Sequence, residues 1–278
     1  MNTATSDVYP PRNFSVLPTI MPSMMTAESR TASLLRAAAE REVQVLYGCE
    51  SGSRAWGLAS PDSDYDVRFV YRHPPAWYLR LHPGKDQIGP IMERDGELDL
   101  VGWDVRKFLK HVTESNPNAL EWLNSQLVYH QEGDFLQQCR TVADHYFQPR
   151  RTVHHYLGIA RGARANGEGE DGRWNVKKAC YFMRSILAAA HAARHLRRPP
   201  IALAALMPQI TEERVAAELQ AYVDRKARLE EKALATFPDT LKQYFAGLSA
   251  SLLDQSNSIP DNRPDPARGD AFFRDLFT

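Results

Sequence analysis

The period of the hydrophobic residues changes once along the chain, and this change limits the folds that the chain can adopt. Before Gly133 the sequence contains short apolar runs typical of strands, at 43–47, 65–71 and 98–103. After Gly133 the apolar residues recur only at helical spacing. The pattern predicts an α+β fold, with a sheet in the first half and then an all-α part whose helices cover about 134–147, 151–165, 174–196, 211–233 and 239–254.

The same pattern divides the 278 residues into segments, since the chain is long for one compact core. The predicted segments are a flexible N-terminal arm (1–25), a domain with the sheet and flanking helices (26–132), a helical domain (133–255), and an extended tail with a short terminal helix (256–278). Thr26 or Ser29 is predicted to cap the first helix. The terminal Phe272, Phe273 and Phe277 are expected to pack on the chain itself rather than on a second copy.

Composition excludes several classes of protein. Hydrophobic residues make up 43% and charged residues 24% of the chain, as in folded, water-soluble proteins. No segment approaches the roughly 18 apolar residues that a membrane span needs, which excludes a transmembrane role. The start lacks the pattern of a secretory signal, and the 3 cysteines are too scattered for a zinc motif. We therefore expect a protein of the reducing cytoplasm.

A glycine-containing turn follows the first predicted strand. Gly48 is expected to close that strand, and a short helix is expected to begin near Ser53, directly after Gly52. Glycine lets a backbone approach a ligand closely, and the free N–H groups at the start of a helix attract anions. The turn is therefore a candidate phosphate site, although a Gly-Ser pair alone more often marks only a turn.

Two carboxylates enter the second predicted strand on one face. Asp64 and Asp66 are separated by one residue, and the strand period of two places them opposite the apolar Tyr65 and Val67. Carboxylates so placed repel each other unless a cation lies between them. Hard oxygen ligands favour Mg²⁺, a metal that also holds substrate phosphates. The pair therefore predicts a magnesium site, with Mn²⁺ as the alternative metal.

The third predicted strand supplies a third carboxylate. Asp99 lies between two leucines and so points away from the core, and Glu97, with the same parity, remains the alternative. Asp104 is the predicted cap of the next helix. Three carboxylates suffice for two ions about 3.5–4 Å apart, which activate an attacking hydroxyl and neutralise a triphosphate. Arg54 and Arg68 either contact phosphate or balance the carboxylates.

Together these motifs resemble a known family. The runs are Gly-Ser-Arg-Ala-Trp-Gly (52–57), Ser-Asp-Tyr-Asp-Val-Arg (63–68), Leu-Asp-Leu-Val-Gly-Trp-Asp-Val-Arg-Lys (98–107) and Asn-Pro-x-x-Leu-Glu-Trp-Leu (116–123). Gly-Ser, Asp-x-Asp and a later strand carboxylate resemble the signature of the DNA polymerase beta nucleotidyltransferase superfamily. The fuller pattern resembles its YcgL/RlaP branch, which comprises predicted nucleotidyltransferases linked with RNA repair. The resemblance is close over 45–125.

The resemblance implies a mixed sheet with flanking helices, bound Mg²⁺, and a nucleoside triphosphate such as ATP as the donor. The implied catalytic residues and ligands of two ions are Asp64, Asp66 and Asp99. The implied nucleotide contacts are Gly52, Ser53, Arg54, Lys177, Lys178, Tyr181 and Arg184. Lys177, Tyr181 and Arg184 share one helix face and Lys178 lies beside it, a pattern that without the family would indicate only a charged surface with a half-buried tyrosine. Arg184 is the strongest candidate, because its planar guanidinium can hold two phosphate oxygens.

The distribution of charge bears on the acceptor. Lys plus Arg and Asp plus Glu are 34 each, but residues 151–200 carry 10 basic and 3 acidic side chains, a net charge of +7. Such a segment would follow an RNA backbone, and the resemblance implies RNA repair, so the expected acceptor is an RNA 3′ end. The alternatives are nucleotidylylation (AMPylation) of a protein or small molecule, and an NTP-sensing or RNA-binding module without catalysis. The base of the NTP and the oligomeric state stay open.

Overall fold

The computed structural model describes residues 25–82, 84–260, 262 and 264–278. The predicted N-terminal arm therefore lies outside the described residues, except for the buried Met25. The helices are α1 (Ala27–Ala39), α2 (Gly52–Ala55), α3 (Pro75–Tyr78), α4 (Val105–Thr113), α5 (Pro117–Asn124), α6 (Phe135–Tyr146), α7 (Pro149–Ala165), α8 (Val176–His195), α9 (Leu203–Leu206), α10 (Glu213–Lys226), α11 (Asp239–Gln255) and α12 (Ala267–Asp275). The strands are β1 (Gln44–Glu50), β2 (Tyr65–Arg72), β3 (Gln87–Glu93), β4 (Leu98–Asp104), β5 (Val128–Gln131), β6 (Arg173–Asn175) and β7 (Leu234–Thr236). No helix in this described part is both long and apolar enough to cross a membrane.

A five-stranded mixed sheet forms the first half, in the order β3-β4-β2-β1-β5. β2 and β4 are parallel, and the other neighbouring strands are antiparallel. Alternation along β2 buries Val67 and Phe69 against α1, where they join Leu34 in one apolar cluster. The α+β class with a mixed sheet and flanking helices is thus confirmed.

The opposite face of the sheet packs on helices of both halves. Val70 of β2 belongs to a large apolar cluster with Phe108 of α4, Met183 of α8 and Phe245 of α11. The sheet and the helices that follow residue 133 therefore share one apolar cluster. Because the helical half is packed onto the sheet, its side chains can reach the ends of the strands.

Several sequence-based expectations about the strands are wrong. β1 does not close at Gly48 but continues to Glu50, because Cys49 and Glu50 remain paired with Arg68 and Val67 of β2. Gly48 itself leaves room for Leu34, whose Cδ1 would lie 2.6 Å from an added Cβ. β3 and β5 give no clear alternation and were not predicted. The second half also contains a two-stranded sheet, in which Trp174 of β6 pairs with Ala235 of β7. Strands of 3 residues are too short to show a period.

The predicted helix starts and the terminal helix agree better with the structure. Thr26 caps α1 by accepting a hydrogen bond from the Ser29 amide, and Asp104 caps α4 in the same manner. The aromatic residues of α12 and beyond pack on their own chain, with ring centroids 5.5 Å apart for Phe273 and Tyr78. A cavity of about 900 Å³ beneath α12 is lined by none of the predicted site residues.

A buried carboxylate joins the sheet half to the helical half. Oε1 of Glu121 on α5 accepts hydrogen bonds from Arg184 Nη2 at 2.9 Å and Tyr156 OH at 3.0 Å. Its Oε2 accepts from Trp56 Nε1 at 2.9 Å. Arg184 Nε donates to the Ile201 carbonyl, and the guanidinium carbon lies 4.1 Å from the centroid of the Trp56 ring. The network fixes α2 relative to α5, α7 and α8.

The expectation that Arg184 clamps a triphosphate is therefore wrong. Its side chain is 3% exposed and its partner Glu121 is 8% exposed, so both are nearly inaccessible to solvent. The spacing of Arg184 from Lys177 is helical, as expected, but two turns further along α8 the same face is packed against Trp56 and Glu121. Arg184 is instead the counter-ion of a buried acid.

We expect Arg184→Ala to lower the free energy of unfolding by about 3–5 kcal/mol, because it leaves the Glu121 carboxylate buried without its counter-ion. Arg164→Ala is the matched control, since it removes an Arg–Glu pair whose side chains are 48% and 25% exposed, and should cost about 0–1 kcal/mol. Urea unfolding of both variants measures the difference. Equal losses in the two variants would show that the Glu121 network does not stabilise the fold.

Candidate active site

Two of the three predicted carboxylates face each other where β2 and β4 begin, and the third lies within electrostatic range of them. In the parallel pairing of these strands Asp66 is directly opposite Asp99. Asp64 immediately precedes β2, and all three side chains are half-buried. Glu97 lies before β4 and supplies only its backbone carbonyl, which accepts from the Tyr65 amide at 2.8 Å. The register thus brings Asp99, rather than Glu97, against Asp66.

Arg68 lies between the two paired carboxylates. Its Nη2 is 2.6 Å from Asp66 Oδ1 and 2.8 Å from Asp99 Oδ2. Its Nη1 donates to the backbone carbonyls of Asp99 and Val67 at 3.0 and 3.2 Å. Arg68 therefore balances the carboxylates, which was one of its two predicted roles.

The turn before α2 lies against Asp66. Gly52 has a φ of +61°, in the left-handed region, and a Cβ there would collide with the Asp66 carboxylate. The Ser51 amide donates to the Asp66 carbonyl at 2.8 Å, which ties the turn to the start of β2. Ser53 is 1% exposed, and its Oγ has no hydrogen-bond partner among the described residues. Gly52 and Ser53 are thus beside the carboxylates, as the motif predicts.

Arg54 supports the same segment from the backbone side. Its Nε donates to the Asp64 carbonyl at 3.0 Å, its Nη2 donates to the Ser63 carbonyl, and its guanidinium carbon lies 3.8 Å from the centroid of the Tyr65 ring. Arg54 therefore fixes the backbone of Asp64 and forms no hydrogen bond to the Asp64 carboxylate.

Glu50, at the end of β1, was missed by the sequence analysis. It is fully buried, its Oε1 accepts from the Asp66 amide at 2.8 Å, and its Oε2 accepts from the Tyr129 hydroxyl. Burial raises the pKa of Glu50 above its ordinary value. In the sequence, Glu50 is recognisable only as an acid at the end of an apolar strand. This pattern is too common to indicate a functional residue.

The N-terminal part of α8 brings a lysine and a tyrosine to the acidic site. Lys177 forms an ion pair with Glu231, whose other oxygen accepts from Ser63 Oγ at 2.7 Å. Burial raises the pKa of the Tyr181 hydroxyl, and the neighbouring Asp66 and Glu231 carboxylates add to this. Both side chains therefore lie within electrostatic range of Asp66.

Lys178 is placed less directly. Its ammonium lies 5.7 Å from the centroid of the Tyr181 ring, and its amide is capped by Asn175 Oδ1 at 3.0 Å. Of the four predicted contacts on α8, the structure brings Lys177 and Tyr181 to the acidic site, places Lys178 beside Tyr181, and buries Arg184 elsewhere.

The loop between α2 and β2 is held by the helical half, which sequence reasoning also missed. Lys226 is 1% exposed and donates to Ser60 Oγ at 2.9 Å and to the Leu58 carbonyl. The Glu231 amide donates to the Asp62 carboxylate at 3.1 Å. These contacts join residues more than 150 positions apart in the sequence and fix the loop that leads to Asp64. Because the partners are so far apart, no local sequence pattern predicts them.

The electrostatics of the site favour a cation. Burial raises the pKa of Asp66, the Arg68 guanidinium opposes this shift, and the Asp64 and Asp99 carboxylates reinforce it. Oδ1 of Asp64 and Oδ1 of Asp99 are buried without a partner among the described residues. Buried acceptors of this kind are costly unless a ligand satisfies them.

The chain alone does not complete a metal site. Across 25–82, 84–260, 262 and 264–278, no three His, Cys, Asp or Glu side chains are gathered closely enough to hold an ion by themselves. The carboxylates fit Mg²⁺ in part, because Mg²⁺ is commonly bound by one or two carboxylates together with substrate phosphates and waters.

Comparison with known proteins identifies the family. The sequence model described as "RNA repair pathway DNA polymerase beta family" (RlaP) matches residues 27–275, which span the sheet, the acidic site and the helical half. The chain belongs to this family. The RNA repair pathway DNA polymerase beta family places it among nucleotidyltransferase-like proteins, consistent with the motif resemblance.

Two individual proteins are similar to this member of the RNA repair pathway DNA polymerase beta family. The chain is 34% identical over 226 residues to the uncharacterized protein YcgL of Bacillus subtilis (strain 168), covering 80% of this chain and 85% of that protein. A nucleotidyltransferase-like protein of Exiguobacterium sibiricum 255-15 aligns with a TM-score of 0.32 at 10% identity, covering 84% of this chain and 74% of that one. At that TM-score the second likeness supports no argument.

Fewer basic side chains of residues 151–200 are available to bind a ligand than the net charge of the segment suggests. Six of its 10 basic side chains have a carboxylate within 4.0 Å, namely Arg151, Arg164, Arg173, Lys177, Arg184 and Arg198. In this family member the segment therefore contributes mainly to internal packing and to surface ion pairs.

We expect Gly52→Ala to destabilise the protein more than Gly57→Ala. Both glycines have positive φ, +61° and +71°, so each alanine bears a similar strain of about 1–2 kcal/mol. A Cβ at Gly57 meets nothing within 4 Å, whereas one at Gly52 displaces the Asp66 carboxylate, which should cost about 1–3 kcal/mol more. Urea unfolding measures both. Equal destabilisation would show that the turn is not packed against Asp66.

Proposed function

We propose that this chain is a Mg²⁺-dependent nucleotidyltransferase that moves NMP from an NTP to a hydroxyl, and that the hydroxyl is an RNA 3′ end. The observation that carries the proposal is the pairing of Asp66 with Asp99, near Asp64 and beside the Gly52–Ser53 turn, where buried oxygens of Asp64, Asp99 and Ser53 have no partner among the described residues. Membership of a polymerase beta family linked with RNA repair supports both parts of the proposal.

Asp64, Asp66 and Asp99 are the residues that would hold Mg²⁺, and their oxygens fit it together with the oxygens of the triphosphate. When bound, Mg²⁺ supplies positive charge that neutralises the triphosphate and the departing pyrophosphate. The acceptor hydroxyl attacks the α-phosphorus, the bond from that phosphorus to the bridging α–β oxygen breaks, and pyrophosphate leaves.

The other site residues position the donor. Ser53 Oγ, which is buried and has no partner among the described residues, would donate to a phosphate oxygen. Lys177 and Tyr181 of α8 would contribute an ammonium and a hydroxyl. Since these groups are held by packing before the substrate arrives, catalysis would depend on position and electrostatics.

The proposed activity predicts that the protein, given Mg²⁺, total RNA and each NTP labelled at the α-phosphate, transfers label and releases pyrophosphate. Asp64→Asn, Asp66→Asn and Asp99→Asn should each reduce transfer by at least about 100-fold, a barrier increase of about 2.7 kcal/mol, because an amide keeps the shape but removes the charge. Asp95→Asn, in the exposed turn between β3 and β4, is the matched control and should retain activity. Chelation of Mg²⁺ with EDTA should also stop transfer.

The same experiment identifies the acceptor. Label that nuclease releases and protease leaves intact supports an RNA acceptor, and mapping the labelled nucleotide to the 3′ end completes the test. Label removed only by protease would indicate protein nucleotidylylation instead. NTP binding without pyrophosphate release from any acceptor would indicate a sensor, and full activity of Asp66→Asn would contradict the assigned site.

Lys177 replaces Arg184 as the proposed triphosphate contact. We expect Lys177→Gln to raise the apparent KM for NTP by about 10-fold, because a charge-assisted bond to phosphate worth about 1.4 kcal/mol is lost. Lys242→Gln is the matched control, since Lys242 also forms an ion pair with a glutamate, Glu168, but outside the site. An unchanged KM in Lys177→Gln would restrict Lys177 to its structural pair with Glu231.

A further inference from the structure

The side chain of Arg68 occupies the space between two of the three carboxylates. One nitrogen, Nη2, is 2.6 Å from Asp66 Oδ1 and 2.8 Å from Asp99 Oδ2, so a single N–H-bearing atom bridges both acids. The backbone carbonyls of Asp99 and Val67 hold the other terminal nitrogen. With its side chain 16% exposed and four acceptors around it, this guanidinium is fixed in place.

This position conflicts with a second metal ion. An ion shared by Asp66 and Asp99 would use the same facing oxygens that Arg68 already engages, and its charge would repel the guanidinium at short range. Arg68 is also part of β2, two residues after Asp66, and moving its guanidinium away would break the hydrogen bonds to all four of its acceptors. The sequence alone predicts two ions because it does not show where the Arg68 side chain lies.

The carboxylate oxygens that do not contact Arg68 differ in their surroundings. Within the described part of the chain, Asp64 Oδ1 has no hydrogen-bond partner, and Asp66 Oδ2 faces the Gly52 turn, where the phosphates of a nucleotide would lie. Asp99 Oδ1 has no partner there either, but Asp99 Oδ2 is bound to Arg68. Asp64 and Asp66 therefore suit an ion that arrives with a triphosphate, whereas Asp99 is separated from that ion by Arg68.

We propose that the site holds one divalent cation, through Asp64 and Asp66, and that the Arg68 guanidinium supplies the second positive charge between Asp66 and Asp99. The inference rests on the proposed function and refines it.

The test counts bound ions. Mn²⁺ is titrated against the protein and followed by electron paramagnetic resonance, with and without an α,β-methylene triphosphate that carries the base preferred in the transfer experiment. The wild type should bind one Mn²⁺ per chain in the ternary complex. Arg68→Ala should bind two, with the spin coupling of ions about 3.5–4 Å apart. Asp99→Asn should still bind one ion, while Asp64→Asn and Asp66→Asn should bind at least 10-fold more weakly.

Arg36→Ala is the matched control, because it removes an arginine 2.6 Å from a carboxylate, Glu93, away from the three acids, and should leave the count at one. Arg68→Met is measured beside Arg68→Ala, and thermal melting of each variant shows whether it is folded. Two coupled ions in the wild type, or a single ion in both folded Arg68 variants, would overturn the inference. No bound ion in the wild type with nucleotide would instead contradict the proposed Mg²⁺-dependent function.

Discussion

The parallel pairing of β2 and β4 places Asp66 directly opposite Asp99, and the rest of the site depends on this register. Like charges opposite each other in a sheet are destabilising, and burial increases the cost. The chain offsets it with Arg68, which contacts both carboxylates, while the buried Glu50 carboxylate accepts a hydrogen bond from the Asp66 amide and fixes the backbone there. A sheet slipped by one residue would turn Asp66 toward the α1 core.

The helical half does more than cover the sheet. Lys226 and Glu231 hold the loop that leads into Asp64, and the Glu121–Arg184 pair fixes Trp56 at the end of α2. These contacts set both ends of the segment that carries Gly52 to Asp66. A site positioned in this way is organised before substrate binds, which lowers the reorganisation that electrostatic catalysis would otherwise require.

Sequence patterns predicted the parts of the site that are local. The strand period placed Asp64 and Asp66 on one face, and the turn at Gly52 and the cap at Asp104 were found in the same way. The partners of buried charged groups were not predictable, because Glu121 and Arg184 are 63 residues apart and Lys226 and Ser60 are 166 apart. Arg184 shows the consequence, since the same helical spacing fits a ligand-binding face and a buried ion pair. Only the packing of α8 distinguishes them.

We propose that Asp64, Asp66 and Asp99 beside the Gly52 turn form the catalytic centre, with a cation held on the Asp64 and Asp66 side of Arg68. Anomalous diffraction at the manganese edge, from crystals grown with Mn²⁺ and an α,β-methylene nucleoside triphosphate, locates the ion directly. We expect one anomalous peak within about 2.0–2.4 Å of oxygens from both Asp64 and Asp66, with the triphosphate against Ser53 and Lys177. A nucleotide bound elsewhere on the chain, with no peak at these carboxylates, would contradict it.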